Sequence, residues 1–201
     1  MRGSMKIKLS LVLAIAIFLS SCEIPGAVLS TPALPSEAQP VGTPGCISSE
    51  PTQGDIERAL TYTDDIFSGV DWVRSYTVET SRVYVTWSNG SLNALAFVEA
   101  LIFPCEYGEP DLDSFFSADN WDIIFGNYES YEAVSECRSK DSLRLYEFTA
   151  AKEGFNYGIK YWVLNDTVTR VMEMMIVFPV ESKSLMDEHS SNLFPDLTSC
   201  K

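Results

Sequence analysis

Residues 143–179, LRLYEFTAAKEGFNYGIKYWVLNDTVTRVMEMMIVFP, decide the fold of this 201-residue chain. They contain three apolar runs rich in the aromatic and β-branched residues that are typical of strands. Only a few residues separate one run from the next, so neighbouring strands must be antiparallel. The third run is apolar on both faces, which predicts a strand covered on both sides, and Pro179 ends it. The three runs are Leu143–Ala150, Phe155–Leu164 and Val168–Phe178.

A hairpin and three helices are predicted around this meander. Asn89-Gly90 separates two apolar runs, Arg82–Trp87 and Leu92–Phe103, and Asn-Gly is the typical hairpin turn because both residues accept a positive φ. Together these elements predict an α+β domain: an antiparallel sheet, made of a hairpin plus a three-stranded meander, packed with two to three helices. The spacing of apolar residues places the helices at Asp55–Phe67, Pro110–Phe125 and Ser184–Phe194.

The order of these elements across residues 50–200 resembles that of PsbP-like and LpqN-like domains of secreted or lipidated bacterial proteins. The resemblance covers element order only, with no diagnostic motif. Such families are mostly accessory or binding proteins, and the resemblance therefore implies a binding role, although fold alone does not determine function.

The first 22 residues carry an export signal. Basic residues precede the apolar run Leu9–Leu19, which is too short to span a bilayer and is typical of a secretory signal peptide. Leu19-Ser20-Ser21-Cys22 resembles the lipobox of bacterial lipoproteins, in which the signal is cut before a cysteine whose sulfur carries a diacylglyceryl group. The resemblance implies that Cys22 anchors the protein to a bacterial membrane outside the cytoplasm. The alternative is an ordinary signal peptide with a chance cysteine.

A proline-rich stretch follows Cys22. Small and polar residues with no helical or strand period predict a flexible or extended tether. The expected organisation is a lipoprotein signal peptide (1–21), a lipid anchor and tether (22–45), and a single domain (46–201). The prolines are Pro25, Pro32, Pro35, Pro40 and Pro44.

Composition excludes several classes of function. The chain has 14 basic and 28 acidic residues, a net charge of −14, which argues against nucleic acid as a partner. The hydrophobic fraction of 46% excludes a wholly disordered chain. A single histidine leaves little room for a His-rich metal site, so we predict no metal and no cofactor.

Four cysteines remain once Cys22 is assigned to lipid. Outside the cytoplasm an even number favours disulfides, and four cysteines allow three pairings. Cys46 and Cys200 flank the domain, whereas Cys105 and Cys137 flank a predicted helix. We therefore expect the pairs Cys46–Cys200 and Cys105–Cys137. The absence of any CxxC motif speaks against redox or zinc chemistry.

Three sets of residues have both a structural and a functional interpretation. His189 lies four residues from Leu185 and from Leu193, which favours a histidine packed at the edge of the core over a catalytic one. Acidic residues in a predicted helix suit the positive helix end better than a calcium site. Tryptophans more often fill a core than form a binding platform. The acidic residues are Asp111, Asp113, Asp119 and Asp122, and the tryptophans are Trp72, Trp87, Trp121 and Trp162.

These observations favour a non-enzymatic, membrane-anchored lipoprotein of the cell envelope that binds an unknown protein or small ligand. The alternatives are an extracytoplasmic hydrolase that uses carboxylates and a structural or envelope-maintenance role with no discrete ligand. Converging carboxyl groups with a raised pKa would favour the enzyme, and a shallow apolar patch would favour the binding protein.

Overall fold

The computed structural model describes residues 49–63, 66–140 and 143–201, all within the compact unit Val41–Lys201. Seven antiparallel strands form one sheet in the order β1-β2-β3-β7-β6-β5-β4. A three-stranded unit (β1–β3) and a four-stranded meander (β4–β7) join where β3 pairs with β7. The strands are β1 (Val73–Glu79), β2 (Arg82–Asn89), β3 (Ala94–Ile102), β4 (Ser130–Arg138), β5 (Arg144–Lys152), β6 (Phe155–Thr167) and β7 (Arg170–Pro179).

Four α-helices accompany the sheet in the described residues: α1 (Gln53–Thr61), α2 (Glu109–Phe115), α3 (Ala118–Ile124) and α4 (Lys183–Leu193). The α+β class and the antiparallel sheet are confirmed, with more strands and one more helix than expected. The single helix predicted over Pro110–Phe125 is two helices, because Ser117 is extended and starts α3 afresh.

The predicted hairpin and meander strands are present, and Pro179 ends β7 as expected. The two strands that the sequence did not indicate, β1 and β4, are the edges of the sheet. Every residue of β1 is exposed and none of β4 is buried, so neither has the apolar alternation that marks a strand.

The edges differ in regularity. β4 carries a bulge between Ala133 and Ser135, whereas β1 pairs with β2 without interruption over seven residues. β1 also exposes large apolar side chains, with Tyr76 56% and Val78 43% exposed. An edge with a bulge resists further strand pairing, and a regular apolar edge does not.

The β2–β3 turn is longer than Asn-Gly predicts. Asn89 pairs with Ala94, and the Asn89 side-chain oxygen accepts hydrogen bonds from the Leu92 nitrogen (3.1 Å) and the Ser91 hydroxyl (2.8 Å). The positive φ falls on Asn93 (51°) rather than on Asn89 or Gly90. Asn89 therefore forms the turn through its side chain.

Helices pack on both faces of the sheet. We call face A the side that carries Trp87, Met174 and Trp162, which share a core with α1 and with Met186 of α4. Face B is the opposite side, where Phe116 and Trp121 of α2–α3 pack over aromatic residues of β5 and β6. Burial of β7 on both faces follows from this arrangement, as predicted.

An ion pair fastens α1 to β7. The Asp55 carboxylate accepts from the Arg170 guanidinium (Nη2 to Oδ2, 3.1 Å) and from the Thr52 nitrogen (2.8 Å) that caps the helix. Burial opposes ionisation of Asp55, but the hydrogen bonds from Arg170 and Thr52 outweigh it and lower its pKa from 3.8 to about 2. The charged form of Asp55 thus stabilises the fold.

Acid is expected to remove this contribution. Because the pKa is lower in the folded than in the unfolded state, the stability is present above pH ~4 and is lost as the pH falls to ~2. Asp55→Asn should cost about 2 kcal/mol at pH 7, and this difference should shrink as the pH falls through that window. Denaturant unfolding of the native protein and of Asp55→Asn at pH 7, 4 and 2.5 measures this difference in the free energy of unfolding. A difference independent of pH would contradict this assignment.

Candidate functional site

Part of face B remains accessible. α2 and α3 pack over β5 and β6, whereas on β2, β3 and β7 several large side chains of the same face are only partly buried. The Tyr84 and Phe97 rings lie 5.8 Å apart at the centre of this strip. We call this strip the open face. It consists of Tyr84, Thr86, Leu95, Phe97 and Met175.

A cavity lies at one end of the open face. Its volume is about 300 Å³, and Leu95 contributes to its wall. Tyr157 accepts a hydrogen bond from the Asn93 side chain (2.6 Å), and Lys152 lies over the Tyr128 ring at 5.9 Å. Aromatic rings beside amide and ammonium groups make this end a polar, ring-lined recess.

A buried acid pair lies at the other end. Glu99 of β3 is directly opposite Glu173 of β7, and the two residues are 7% and 2% exposed. The Tyr161 hydroxyl donates to Oε2 of Glu173, whereas Oε1 of Glu173 has no hydrogen-bond partner. Directly opposite side chains in a sheet have Cβ atoms about 5 Å apart, so the two carboxyl groups interact strongly.

One cation approaches this pair from the surface. Arg82, whose side chain is 45% exposed, contacts Glu99 at 3.5 Å and Glu79 at 2.7 Å. Its guanidinium carbon also lies 5.8 Å from the centre of the Tyr84 ring. The carboxyl groups of Glu79 and Glu99 therefore share this guanidinium.

This arrangement favours protonation of the acid pair. Burial, followed by the nearby charge of Glu99, raises the pKa of Glu173 well above its ordinary value. Burial also raises the pKa of Glu99, although Arg82 opposes that shift. Two buried carboxyl groups with raised pKa values are a feature of acid–base sites, and also of proton-linked stability.

Glu173→Gln tests the proton held by this pair. A carboxyl group whose pKa is higher in the folded than in the unfolded protein stabilises the fold when the pH is below the pKa of that group in the unfolded chain. This stabilisation is lost as the pH rises through the pKa of the group in the folded protein. The unfolding free energy of Glu173→Gln relative to the native protein should therefore increase between pH 5 and 8. The exposed residue Glu181 supplies the matched control, Glu181→Gln, which should show no such trend. Chemical denaturation across this pH range provides the measurement, and parallel curves for all three proteins would contradict the assignment.

A second concave region lies on face A between β4 and α4. Two adjoining cavities of about 230 and 420 Å³ share Thr149 and Val180. Gly158 lies in its floor, where an added Cβ would come within 3.2 Å of the Met186 methyl group. The buried Lys160 at one end donates to Asp187 (3.0 Å) and to the Thr198 carbonyl (2.7 Å), so its charge is already used within the fold.

His189 occupies the structural position that the sequence favoured. Its ring stacks on Phe67 (5.0 Å) and Phe178 (5.5 Å) and meets Trp72 edge-on at 6.0 Å. Burial lowers its pKa, which favours the neutral ring. The aromatic contacts identify a histidine at the edge of the core.

The tryptophans do not form one platform. Trp87, Trp121 and Trp162 are at most 6% exposed and are divided between the two faces. Trp72 alone is half-buried, and with Trp87 it lines a cavity of about 340 Å³ on face A. Most of the tryptophans therefore fill the core.

The acidic residues of α2 and α3 are likewise dispersed. Asp111 accepts from the Gly108 nitrogen (2.7 Å) at the start of α2, and Asp113 accepts from Arg138 and Arg144 (2.8 and 2.7 Å). Asp122 accepts from a tyrosine hydroxyl on β4, and Asp119 lies in the first turn of α3. No group of three or more acidic, cysteine or histidine residues among the described residues could hold a metal ion.

The disulfide prediction needs correction. Cys137 is bonded to Cys200, with Cα atoms 5.5 Å apart, so the expected pairs Cys46–Cys200 and Cys105–Cys137 are wrong. Three strands separate β3 from β4, about 19 Å at the usual spacing, and a disulfide reaches only ~7 Å between Cα atoms. Cys105 is also disulfide-bonded, and Cys46 lies outside the described residues.

The predicted anchor is also outside the described residues, as are the signal peptide and the tether. Within the described part of the chain, no helix has the length and apolar character needed to cross a bilayer. Comparison with known proteins assigns no family, since neither a protein-family model nor a curated protein matches the chain.

Proposed function

We propose that the protein is a membrane-anchored lipoprotein whose domain binds another molecule outside the cytoplasm through the open face. The observation that carries the proposal is a strip of partly exposed apolar side chains between the recess at Tyr157 and the acid pair at Glu99. Leu95, Phe97 and Glu99 alternate along one strand and cover about 13 Å. An apolar strip with polar ends is suited to recognition.

The anchor rests on the lipobox at Cys22. Mass spectrometry of the mature protein should find Cys22 at its amino terminus with the added mass of lipid. Cys22→Ser should move the protein from the membrane to the soluble fraction, because two acyl chains provide stable anchoring. An unmodified terminus at another residue would contradict the anchor and leave the binding surface unaffected.

Site-specific crosslinking tests the binding surface. A photoreactive amino acid placed at Phe97 should give a discrete crosslinked product on the anchored protein in cells. The same group at Ile123 of α3, which is 77% exposed but lies away from the open face, is the control. A product of the same mass from both positions, or from neither, would contradict a dedicated surface.

A hydrolase is the second candidate, and the acid pair supports it. Glu99 and Glu173 lie opposite each other, and burial raises the pKa of both carboxyl groups, which is a property of a general acid. Turnover of chromogenic ester or glycoside substrates by the native protein, and its loss in Glu173→Gln with the fold retained, would favour this candidate. Equal turnover by both proteins would exclude the pair from catalysis.

A further inference from the structure

We propose that two copies of this chain associate by antiparallel pairing of their β1 strands, so that their two seven-stranded sheets become one. This inference goes beyond the proposed ligand surface, because the partner is a second copy of the same chain. It follows from the exposure of β1, from the direction of its backbone groups and from its pattern of charges.

The first argument is that β1 is an open edge. It has a single neighbouring strand, β2, and all of its residues are exposed, including Val73 (67%) and Tyr76 (56%). Proteins usually protect an edge strand with a bulge, a proline or a lysine. Val73–Glu79 contains no proline or lysine and pairs with β2 without a bulge, so this edge is suited to pairing with another strand.

The second argument is the direction of the backbone groups. Thr80 and Ser81 form a two-residue turn, so Glu79 and Arg82 are the hydrogen-bonded pair that closes the β1–β2 hairpin. Hydrogen-bonded and non-hydrogen-bonded pairs alternate from that point. The N–H and C=O groups of every second residue of β1 therefore point away from β2. These residues are Arg74, Tyr76 and Val78.

The third argument is that one register fits these groups. In a symmetric antiparallel pair, one outward-pointing residue lies opposite its own copy. With Tyr76 at the centre, all of Val73–Glu79 is paired. Centring on Arg74 would place two guanidinium groups opposite each other, which is destabilising. Centring on Val78 would leave most of β1 unpaired, because the strand ends at Glu79.

The side chains are compatible with this register. Arg74, Tyr76 and Val78 lie on face A, since their β2 partners belong to the core of that face. Tyr76 meets Tyr76 of the second copy, and such aromatic pairs stabilise sheets. The apolar stem of Arg74 covers Val78 of the second copy, and Glu79 lies opposite Val73, so no like charges are directly opposed.

The chain's own proline-rich stretch is a poorer occupant of this edge. Between Pro25 and Pro44, the longest run without proline is Gly26–Thr31, which is shorter than β1. Proline has no N–H to donate to a ladder, so this stretch cannot pair with the whole of Val73–Glu79. A second copy of β1 can.

The test is oxidative crosslinking of Tyr76→Cys in the full chain, in cells, with copper phenanthroline and oxygen. We expect a covalent dimer, because the Cα atoms of two directly opposite residues are about 5.5 Å apart, within the range of a disulfide. The matched control is Val73→Cys, which is more exposed but lies six residues from the position opposite its own copy, or about 20 Å. It should give no such dimer, and neither should the native chain.

A second measurement does not use cysteine. Tyr76→Lys places two ammonium groups opposite each other and should raise the dissociation constant of the dimer about tenfold, as measured by sedimentation of the full chain carrying Cys22→Ser. Tyr76→Phe keeps the ring and should change little. Because Tyr76→Lys lowers the net negative charge, a general charge effect would act in the opposite direction.

The proposal is overturned if the cysteines at positions 73 and 76 crosslink equally, if Tyr76→Cys gives no dimer, or if Tyr76→Lys associates as tightly as the native chain. A Tyr76→Cys product with a different protein would identify another occupant of the edge and would also overturn it. Crosslinking at Phe97 is independent of these results, so the dimer can fail while the proposed binding function stands.

Discussion

Removing the Cys137–Cys200 disulfide should lower the free energy of unfolding by about 4 kcal/mol. The bond closes a loop with a sequence separation of 63, and the chain-entropy model assigns about that value to a loop of this size. The bond also holds the C-terminal segment across face A, where the Cys200 nitrogen donates to Glu147 (3.3 Å). The loss should therefore exceed that of most single substitutions.

The double variant Cys137→Ala with Cys200→Ala measures this effect by guanidinium unfolding under oxidising conditions. A reducing agent is unsuitable because Cys105 is also disulfide-bonded and would be reduced as well. The native protein under the same oxidising conditions is the reference. A loss below about 1 kcal/mol would show that the bond adds little to the fold.

Trp162→Ala should cost about 3–5 kcal/mol, the range for a large buried aromatic side chain. Trp162 is fully buried on β6, and its ring lies 5.1 Å from that of Phe194 after α4. Its indole N–H also donates to the Leu197 carbonyl (2.8 Å), which would be left without this donor. The substitution thus removes both core volume and one of the hydrogen bonds that hold the C-terminal segment.

Trp162→Phe is the matched variant, because it keeps a six-membered aromatic ring in the core and loses the five-membered ring with its N–H donor. Its cost should be smaller, about 1–2 kcal/mol. Thermal and denaturant unfolding of the two variants separates packing from hydrogen bonding. Equal costs would show that the hydrogen bond, and not the buried volume, determines the effect.

The central strands were predictable because burial leaves a strong pattern in the sequence. Residues 143–179 and the β2–β3 hairpin carry the apolar runs that the core requires, and the structure forms strands there. β1 and β4 were missed because an edge strand is specified by its neighbour's unpaired backbone groups rather than by its own side chains. The same argument accounts for the break between α2 and α3, since helical periodicity alone does not reveal an extended Ser117.

The disulfide pairing depended on strand order, which local sequence does not contain. Cys105 and Cys137 are near in sequence, yet the connection between β3 and β4 passes three strands, β7, β6 and β5, to reach the edge of the sheet. Proximity along the chain was therefore a poor guide to proximity in space.

The two glutamates of the acid pair are visible in the sequence as exceptions to an apolar pattern. Glu99 interrupts the apolar run Leu92–Phe103, and Glu173 interrupts Val168–Phe178. A charged residue in a strand that must be buried on both faces is rarely tolerated without a partner or a function. That the two glutamates face each other could not be read from the sequence, because it depends on the register between β3 and β7.

The unequal edges of the sheet limit how copies of the protein can assemble. Only β1 offers a regular row of backbone groups, because the bulge of β4 interrupts the opposite edge. Growth of a continuous sheet from molecule to molecule needs two receptive edges, whereas pairing of two β1 strands consumes the receptive edge of both molecules. Molecules that associate in this way stop at a pair, and growth into a fibre is blocked.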